Sequence, residues 1–356
     1  MKGVVLSGGF GTRLRPLTHT GPKQLIPIAN KPMLFYAIED LRDAGVKDVA
    51  IILGTIAPEK VQESVGNGSA LGVDVKYITQ GEPRGIAHAV KCAKKFVGDE
   101  PFVVYLGDNI LKGGIGKFAK KFEESKSDAS ILLCRHKNPE RFGVAEVKGG
   151  RIVGLVEKPK KPKSDLVMIG VYFFRKTIFK AIDNLKPSWR NEYEITEAVD
   201  YLVRNGYDVK YETVSGWWKD TGKPEDIIEA NHLVLEDLPV KNEGVIEDEG
   251  SIRGRVSIGK GTIVRKGCFI KGPVVIGRNC NISFGAYVGP YTSIGDGCVL
   301  KQVEVESSIV MEGSRVECVG RIVDSLIGAN NVIVSGSKEV PKAIRLVVGE
   351  NTYLSI

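Results

Sequence analysis

In the last third of the chain Ile252, Ile258, Val264, Ile270, Ile276, Ile282, Val288, Ile294 and Leu300 recur every six residues without a miss. Four positions beyond each of the first eight stands a small or modest residue: Val256, Thr262, Cys268, Val274, Cys280, Ala286, Thr292 and Cys298. Glycine often follows the aliphatic position, as at Gly259, Gly277, Gly289 and Gly295. Sandwich strands hold no fixed period, and their turns come every ~8–12 residues. A sustained period of six is the signature of a parallel β-helix, in which short strands stack and each aliphatic side chain points into a prism. With three hexads to a coil, Cys280 lies directly beneath Cys298, and both read as small core residues. The register slips after Leu300, and Ile327-Gly328 and Val348-Gly349 take it up again.

The text before about Leu238 is of another kind. Lys2–Leu6 reads as a buried strand, Leu34, Ala37, Ile38 and Leu41 mark one face of a helix stopping at Gly45, and Val49–Leu53 is a strand again. A helix opening at Pro58, a strand at Val75–Ile78, a helix over Ile86–Phe96 and a strand at Phe102–Leu106 continue the alternation. This predicts an α/β domain over residues 1–238, with a mostly parallel, Rossmann-like sheet covered on both faces, followed by the coil domain over 239–356. Ligands of such sheets lie at the carboxyl ends of the strands. Ser7–Arg15 and Gly107-Asp108-Asn109 fall there.

Hydrophobic residues make up 42% of the 356 and charged residues 26%, which suits a soluble globular protein large enough for two domains. The net charge of +7 is spread thinly, and its one dense run is Glu157–Lys163, so no basic face for nucleic acid is expected. No secretory segment precedes the first strand, and the longest apolar run, Leu166–Phe174, is too short for a bilayer. A cytoplasmic protein without membrane association is expected, its six cysteines reduced and unpaired. The open ends of the prism, and aliphatic side chains such as Ile309 and Val310, predict self-association into a homo-oligomer.

The first strand runs into Ser7-Gly8-Gly9-Phe10-Gly11-Thr12-Arg13-Leu14-Arg15-Pro16. Glycines at a strand end let backbone N–H groups approach phosphate oxygens, and arginine adds a forked cationic donor. The loop lacks the lysine of a Walker A motif and the third glycine of the dinucleotide fingerprint. It continues into Pro22-Lys23-Gln24-Leu25-Ile26-Pro27 and Asn30-Lys31-Pro32-Met33. This succession resembles the opening of the sugar nucleotidyltransferase family. Gln24, the segment Gln80-Gly81-Glu82-Pro83-Arg84-Gly85 and the segment Gly216-Trp217-Trp218-Lys219-Asp220-Thr221-Gly222 narrow the resemblance to the long glucose-1-phosphate thymidylyltransferases, which carry a β-helical tail. The likeness runs from Met1 to about Leu235, and the tail matches in kind.

The resemblance implies an enzyme that joins dTTP to glucose-1-phosphate with Mg²⁺, and a left-handed β-helix. Gly8, Gly9, Gly11 and Thr12 would cradle the triphosphate, and Arg13 would neutralise the departing β- and γ-phosphates. Lys23 would contact the phosphates during transfer, Gln24 the deoxyribose, and Gln80 and Gly85 the thymine edge. Asn109, Gly143, Glu157, Lys158 and Met168 would contact the sugar phosphate, and Asp108 and Asp220 would hold the metal. Because the sugar phosphate oxygen is itself the nucleophile, no side-chain nucleophile is required, and His19, His88, His136 and His232 receive no catalytic role. Three other readings remain: a uridylyltransferase or dual-specificity enzyme, a non-catalytic regulatory subunit, and a bifunctional acyltransferase. The second conflicts with the presence of Arg13, Lys23, Asp108 and Asp220, and the third with the lack of a histidine base after His232.

Overall fold

The computed structural model describes residues 1–334, 343–344 and 346–355. The chain divides into two compact units. Met1–Phe10 with Met33–Asp220 form one, and Gly11–Pro32 with Thr221–Ile356 form the other. By packing, the division falls at Asp220 and the segment Gly11–Pro32 goes with the coils, whereas the sequence reading divides the chain after residue 238.

The first unit begins with β1 (Lys2–Ser7), α1 (Met33–Asp43), β2 (Asp48–Leu53), α2 (Pro58–Val65), β3 (Asp74–Thr79) and α3 (Ile86–Cys92). It continues with β4 (Phe102–Leu106), β5 (Asn109–Leu111), α4 (Gly116–Glu124), β6 (Ala129–Arg135), β7 (Gly143–Lys148), β8 (Arg151–Glu157) and β9 (Leu166–Phe174). It closes with α5 (Thr177–Asp183), α6 (Ile195–Arg204), β10 (Val209–Thr213) and β11 (Trp218–Asp220). The helix expected over Ile86–Phe96 is broken at Ala93, and a separate turn covers Lys94–Val97.

A nine-stranded sheet has the path β8-β7-β9-β4-β1-β2-β3, and off this path β6 pairs with β9 and β10 pairs with β6. The strands β4, β1, β2 and β3 are mutually parallel, Val4 lying opposite Val104 and Ala50. The central runs of β1, β2 and β4 are apolar because helices cover both faces, whereas β3 at the sheet edge is partly exposed. Beyond β4 the direction reverses, since β9 runs antiparallel to β4, β6 and β7. The apolar run Leu166–Phe174 is this strand, buried along nearly its whole length. The core joins Val4, Ile52, Val104, Ile131 and Phe174 with Val90 and Val199 of the covering helices.

In the second unit short strands stack in parallel, each opposite a residue three hexads further on: Val256 with Val274, Val264 with Ile282, Ile270 with Val288. Three faces result, consistent with a β-helix. Ile258, Val264, Ile270, Ile276, Ile282, Val288, Ile294 and Leu300 fill the interior together with Cys268, Cys280 and Cys298. All six cysteines are free. Ile309 and Val310 are both fully buried, Val310 in the same interior. They therefore present no outward apolar surface, and the part of the self-association argument that used them falls away.

The helix α7 (Pro224–Glu236) belongs to this unit and is bonded to the coils. Asn231, fully buried, accepts from Ser293 Oγ at 2.7 Å and from the backbone N–H of Ala29 at 2.8 Å, and it donates to the carbonyl of Tyr291 at 3.0 Å. Asn30 Nδ2 donates to the carbonyl of Ile294 at 2.6 Å. One buried amide thus ties helix, coil and the Gly11–Pro32 segment together. No helix among the described residues is long and apolar enough to cross a membrane.

Candidate functional site

Because β1, β2, β3 and β4 are parallel, their carboxyl ends emerge on one edge of the first unit. There β1 leads into Gly8 and Gly9, β2 into Gly54, β3 into Gln80 and β4 into Gly107-Asp108. A Cβ on Gly54 would lie 2.9 Å from the Cα of Gly8, and one on Gly8 would lie 2.9 Å from Gln80 Oε1. Only glycine fits this approach, which keeps the backbone of the loop accessible to phosphate oxygens. Gln80 is largely buried, and its Nε2 donates to the carbonyl of Gly85 at 3.3 Å. Gly8, Gly9, Gln80 and Gly85 are thus assembled at one edge.

Asp108 follows β4 and is 8% exposed. Its neighbour Asn109 opens β5, which pairs antiparallel with β11 so that Asp220 stands opposite Asn109. The Asn109 amide is buried and committed: Oδ1 accepts from the Gly170 N–H at 3.2 Å and from Trp218 Nε1 at 2.7 Å, and Nδ2 donates to Asp108 Oδ1 at 2.9 Å. Asn109, read from the sequence as a sugar-phosphate contact, therefore also fixes the rotation of the Asp108 carboxylate. Gly170 is needed beside it, because a Cβ there would lie 2.5 Å from Asn109 Oδ1.

Tyr172 of β9 reports what surrounds this point. Burial pushes its hydroxyl pKa upward first, and the negative charges of Glu157, Asp108 and Asp220 push it further. Three carboxylates from distant parts of the sequence therefore act electrostatically on one phenol.

Glu157 ends β8 opposite Gly143 of β7. Its Oε2 accepts from Thr196 Oγ1 at 2.6 Å, and its Oε1 lies 3.3 Å from Lys158 Nζ and 3.8 Å from Arg190 Nη1. Lys158 holds a left-handed backbone, φ +42°, where a side-chain-bearing residue is strained, and its N–H donates to the carbonyl of Phe142 at 3.0 Å. Met168 is buried on β9, paired with Leu133 ahead of a break in the β9–β6 register. Glu194, beside Arg190, has its carboxyl pKa raised by burial first and then by the charge of Glu157.

Arg190, Thr196 and Glu194 were missed in the sequence. Arg190 stands in an irregular polar stretch with no motif, and only the chain fold carries it to Glu157. Its position among Glu192 and Glu194 was the available hint of a fixed cation.

The remaining candidates lie in the second unit. Thr12–Leu14 form one tight helical turn, and Thr18 Oγ1 donates to the Gly11 carbonyl at 2.8 Å. Arg13 is exposed at its start, and its guanidinium lies over Gly222, where a Cβ would be 2.7 Å from Nη2. Lys23 opens the turn Lys23–Leu25, in which Gln24 is buried.

The comparisons with known proteins bear on both units. Residues 2–237 match the family model described as nucleotidyl transferase. The chain belongs to the nucleotidyl transferase family. Residues 270–352 match a second model, the GMPPB C-terminal domain. The transferase is 49% identical to the low-salt glycan biosynthesis nucleotidyltransferase of Haloferax volcanii, with all of both chains covered. It is 46% identical to the glucose-1-phosphate thymidylyltransferase of Streptomyces antibioticus, over 100% of this chain and 99% of that one. A Bacillus anthracis crystal structure, provisionally described as a glucose-1-phosphate thymidylyltransferase and holding sucrose, superposes with a TM-score of 0.64 at 37% identity, over 68% of this chain and 98% of the other.

Proposed function

We propose that this chain transfers a deoxythymidylyl group from dTTP to glucose-1-phosphate, forming dTDP-glucose and releasing pyrophosphate. The observation that carries this reading is the strand pairing that sets Asp220 opposite Asn109, whose amide holds Asp108, at the carboxyl end of β4 on the edge that carries the glycine loop, in a chain similar over its full length to a thymidylyltransferase. A sugar-phosphate oxygen attacks the α-phosphorus in line, the bond from that phosphorus to the α,β-bridging oxygen breaks, and pyrophosphate leaves with the electron pair. Glu157 accepts hydrogen bonds from sugar hydroxyls, and Lys158 with Arg190 balances the incoming phosphate. Gly143 leaves room beside Glu157, and Met168 lines the sugar. Backbone groups of Gly8, Gly9, Gly11 and Thr12 receive the triphosphate, while Arg13 and Lys23 compensate the charge on the reacting and departing phosphates. Gln80 and Gly85 read the thymine edge and Gln24 the deoxyribose.

Nucleotidyl transferases of this kind generally work with a divalent metal, and we assign Mg²⁺ to Asp108 and Asp220. The fit rests on the donor set. Among the described residues no group of three or more His, Cys, Asp or Glu side chains is gathered for a metal. Two carboxylates, one of them oriented by Asn109, suit a hard cation that completes its shell with phosphate oxygens and water. When bound, the cation supplies charge compensation on the triphosphate.

A pyrophosphate-release assay across nucleoside triphosphates and sugar-1-phosphates tests the reading. The pair dTTP and glucose-1-phosphate is expected to give the highest kcat/KM. UTP is the expected runner-up, because one methyl group is worth only about 1–3 kcal/mol of discrimination. A clear preference for ATP, GTP or CTP would refute the base assignment.

The coils are proposed to be left-handed and to support a homo-oligomer in the cytoplasm, the exposed Phe284 and Val319 being the outward apolar side chains that favour association. Ending the chain near Pro239 is expected to lower the oligomer size in light scattering, and an unchanged size would count against this role. The same cut takes away the Ser293 and Tyr291 partners of buried Asn231, so the shortened chain is also expected to melt at lower temperature.

A further inference from the structure

We infer that His88 fixes which end of the Gln80 amide faces the nucleobase, and thereby carries part of the discrimination between thymine and cytosine; this rests on Gln80 reading the base, as proposed above.

Gln80 Nε2 lies 3.3 Å from the carbonyl of Gly85 and 3.3 Å from His88 Nδ1. A backbone carbonyl can only accept, so the amide must turn its NH₂ toward Gly85. The second proton of that NH₂ then meets Nδ1, which can accept only when it carries no hydrogen. His88 is therefore held as the neutral tautomer protonated at Nε2. With both donors used on the α3 side, Oε1 is left pointing the other way, toward the backbone of Gly8. Gln80 consequently offers an acceptor at the glycine loop.

The polarity matters because the bases differ at one atom. Thymine and uracil carry N3–H, a donor between two carbonyls, whereas cytosine carries an unprotonated N3 at the same place. An amide oxygen bonds the former and repels the latter. A buried polar group left unpaired or opposed discriminates far more strongly than a missing methyl. His88 touches only Gln80 in this scheme and acts as a positioning residue.

The surroundings favour the required protonation state. Arg84 and Lys91 flank His88 on its own segment, and Cys92, Asp183 and Tyr193 line the same hollow. Asp183 is engaged by Lys91 at 2.7 Å and by Lys94 at 3.4 Å. Burial first, then the charges of Arg84 and Lys91, lower the His88 pKa, so the imidazole is neutral at neutral pH. Acidification through that pKa adds a proton to Nδ1 and sets it against the Gln80 NH₂.

The test measures kcat/KM for dTTP and dCTP with glucose-1-phosphate in the full chain and in His88→Ala, His88→Asn and Gln80→Ala. The ratio of the two values is independent of the fraction of folded enzyme. His88→Ala is expected to lower the dTTP to dCTP ratio at least ~10-fold, mainly through a higher KM for dTTP with kcat little changed. His88→Asn, whose side-chain oxygen can take the place of Nδ1, is expected to restore most of the ratio. The parent's ratio should fall with decreasing pH while that of His88→Asn stays flat. If Gln80→Ala loses discrimination and His88→Ala keeps it, the inference fails and the base assignment stands. If both variants keep it, the base assignment fails and takes the inference with it.

Discussion

Asp108→Asn and Asp220→Asn are each expected to fold like the parent and to lose at least ~100-fold in kcat, as does an enzyme from which one electrostatic stabiliser is removed. The amide is nearly isosteric with the carboxylate, so packing around the largely buried Asp108 is preserved. What changes is charge. Asparagine cannot supply the anionic oxygen that a hard divalent cation requires, and a two-carboxylate site has no spare ligand to replace it. Near-normal kcat in either variant at saturating magnesium would remove that residue from the metal site.

Gly170→Ala is expected to cost about 1–3 kcal/mol of stability by overpacking and to lower kcat at least ~10-fold in the protein that still folds. The new Cβ would meet Asn109 Oδ1 at 2.5 Å and Cγ at 2.6 Å. Neither the strand backbone nor the Asn109 amide can yield easily, because that amide is held by Trp218 and by Asp108 as well. If Asn109 moves, Asp108 loses the bond that orients it. Calorimetry combined with a magnesium titration separates the two effects: a misoriented carboxylate raises the magnesium concentration needed for half-maximal activity, whereas a purely structural defect lowers the melting temperature alone. An unshifted magnesium requirement would show that Asn109 does not position Asp108.

The stacked coils were legible because each aliphatic residue performs the same task at a fixed interval. The reading lapsed after Leu300 for a geometric reason. The strand Val299–Glu306 changes register between Lys301 and Val303, and Ser293 pairs with Ile309, two residues short of three hexads. Shorter coils break a period counted from sequence without breaking the stack. In the first unit the parallel strands were legible from their apolar runs, but β9 reads the same in either direction, and the reversal was invisible. The glycine loop, the aspartates and Glu157-Lys158 stand in local motifs, which is why the sequence reading could propose roles for them. Asn109 had no local sign of holding Asp108, since its partners Gly170 and Trp218 lie far along the chain. Arg190 escaped for the same reason. The boundary at residue 238 was drawn where composition changes, whereas the units are defined by packing, and Asn231 packs with the coils.

That buried asparagine has a bearing on heredity. Arg13 and Lys23 are carried by the same compact unit as the prism, and the segment holding them is bonded at Ala29 to an amide that Ser293 also holds. Damage around Ser293 is therefore expected to reach the segment to which the phosphate contacts are assigned by proposal, without any change in that segment's own residues. A laboratory selection for altered triphosphate use would recover substitutions around Thr292 and Ser293 alongside those in the loop, and the two sets would be hard to tell apart by phenotype.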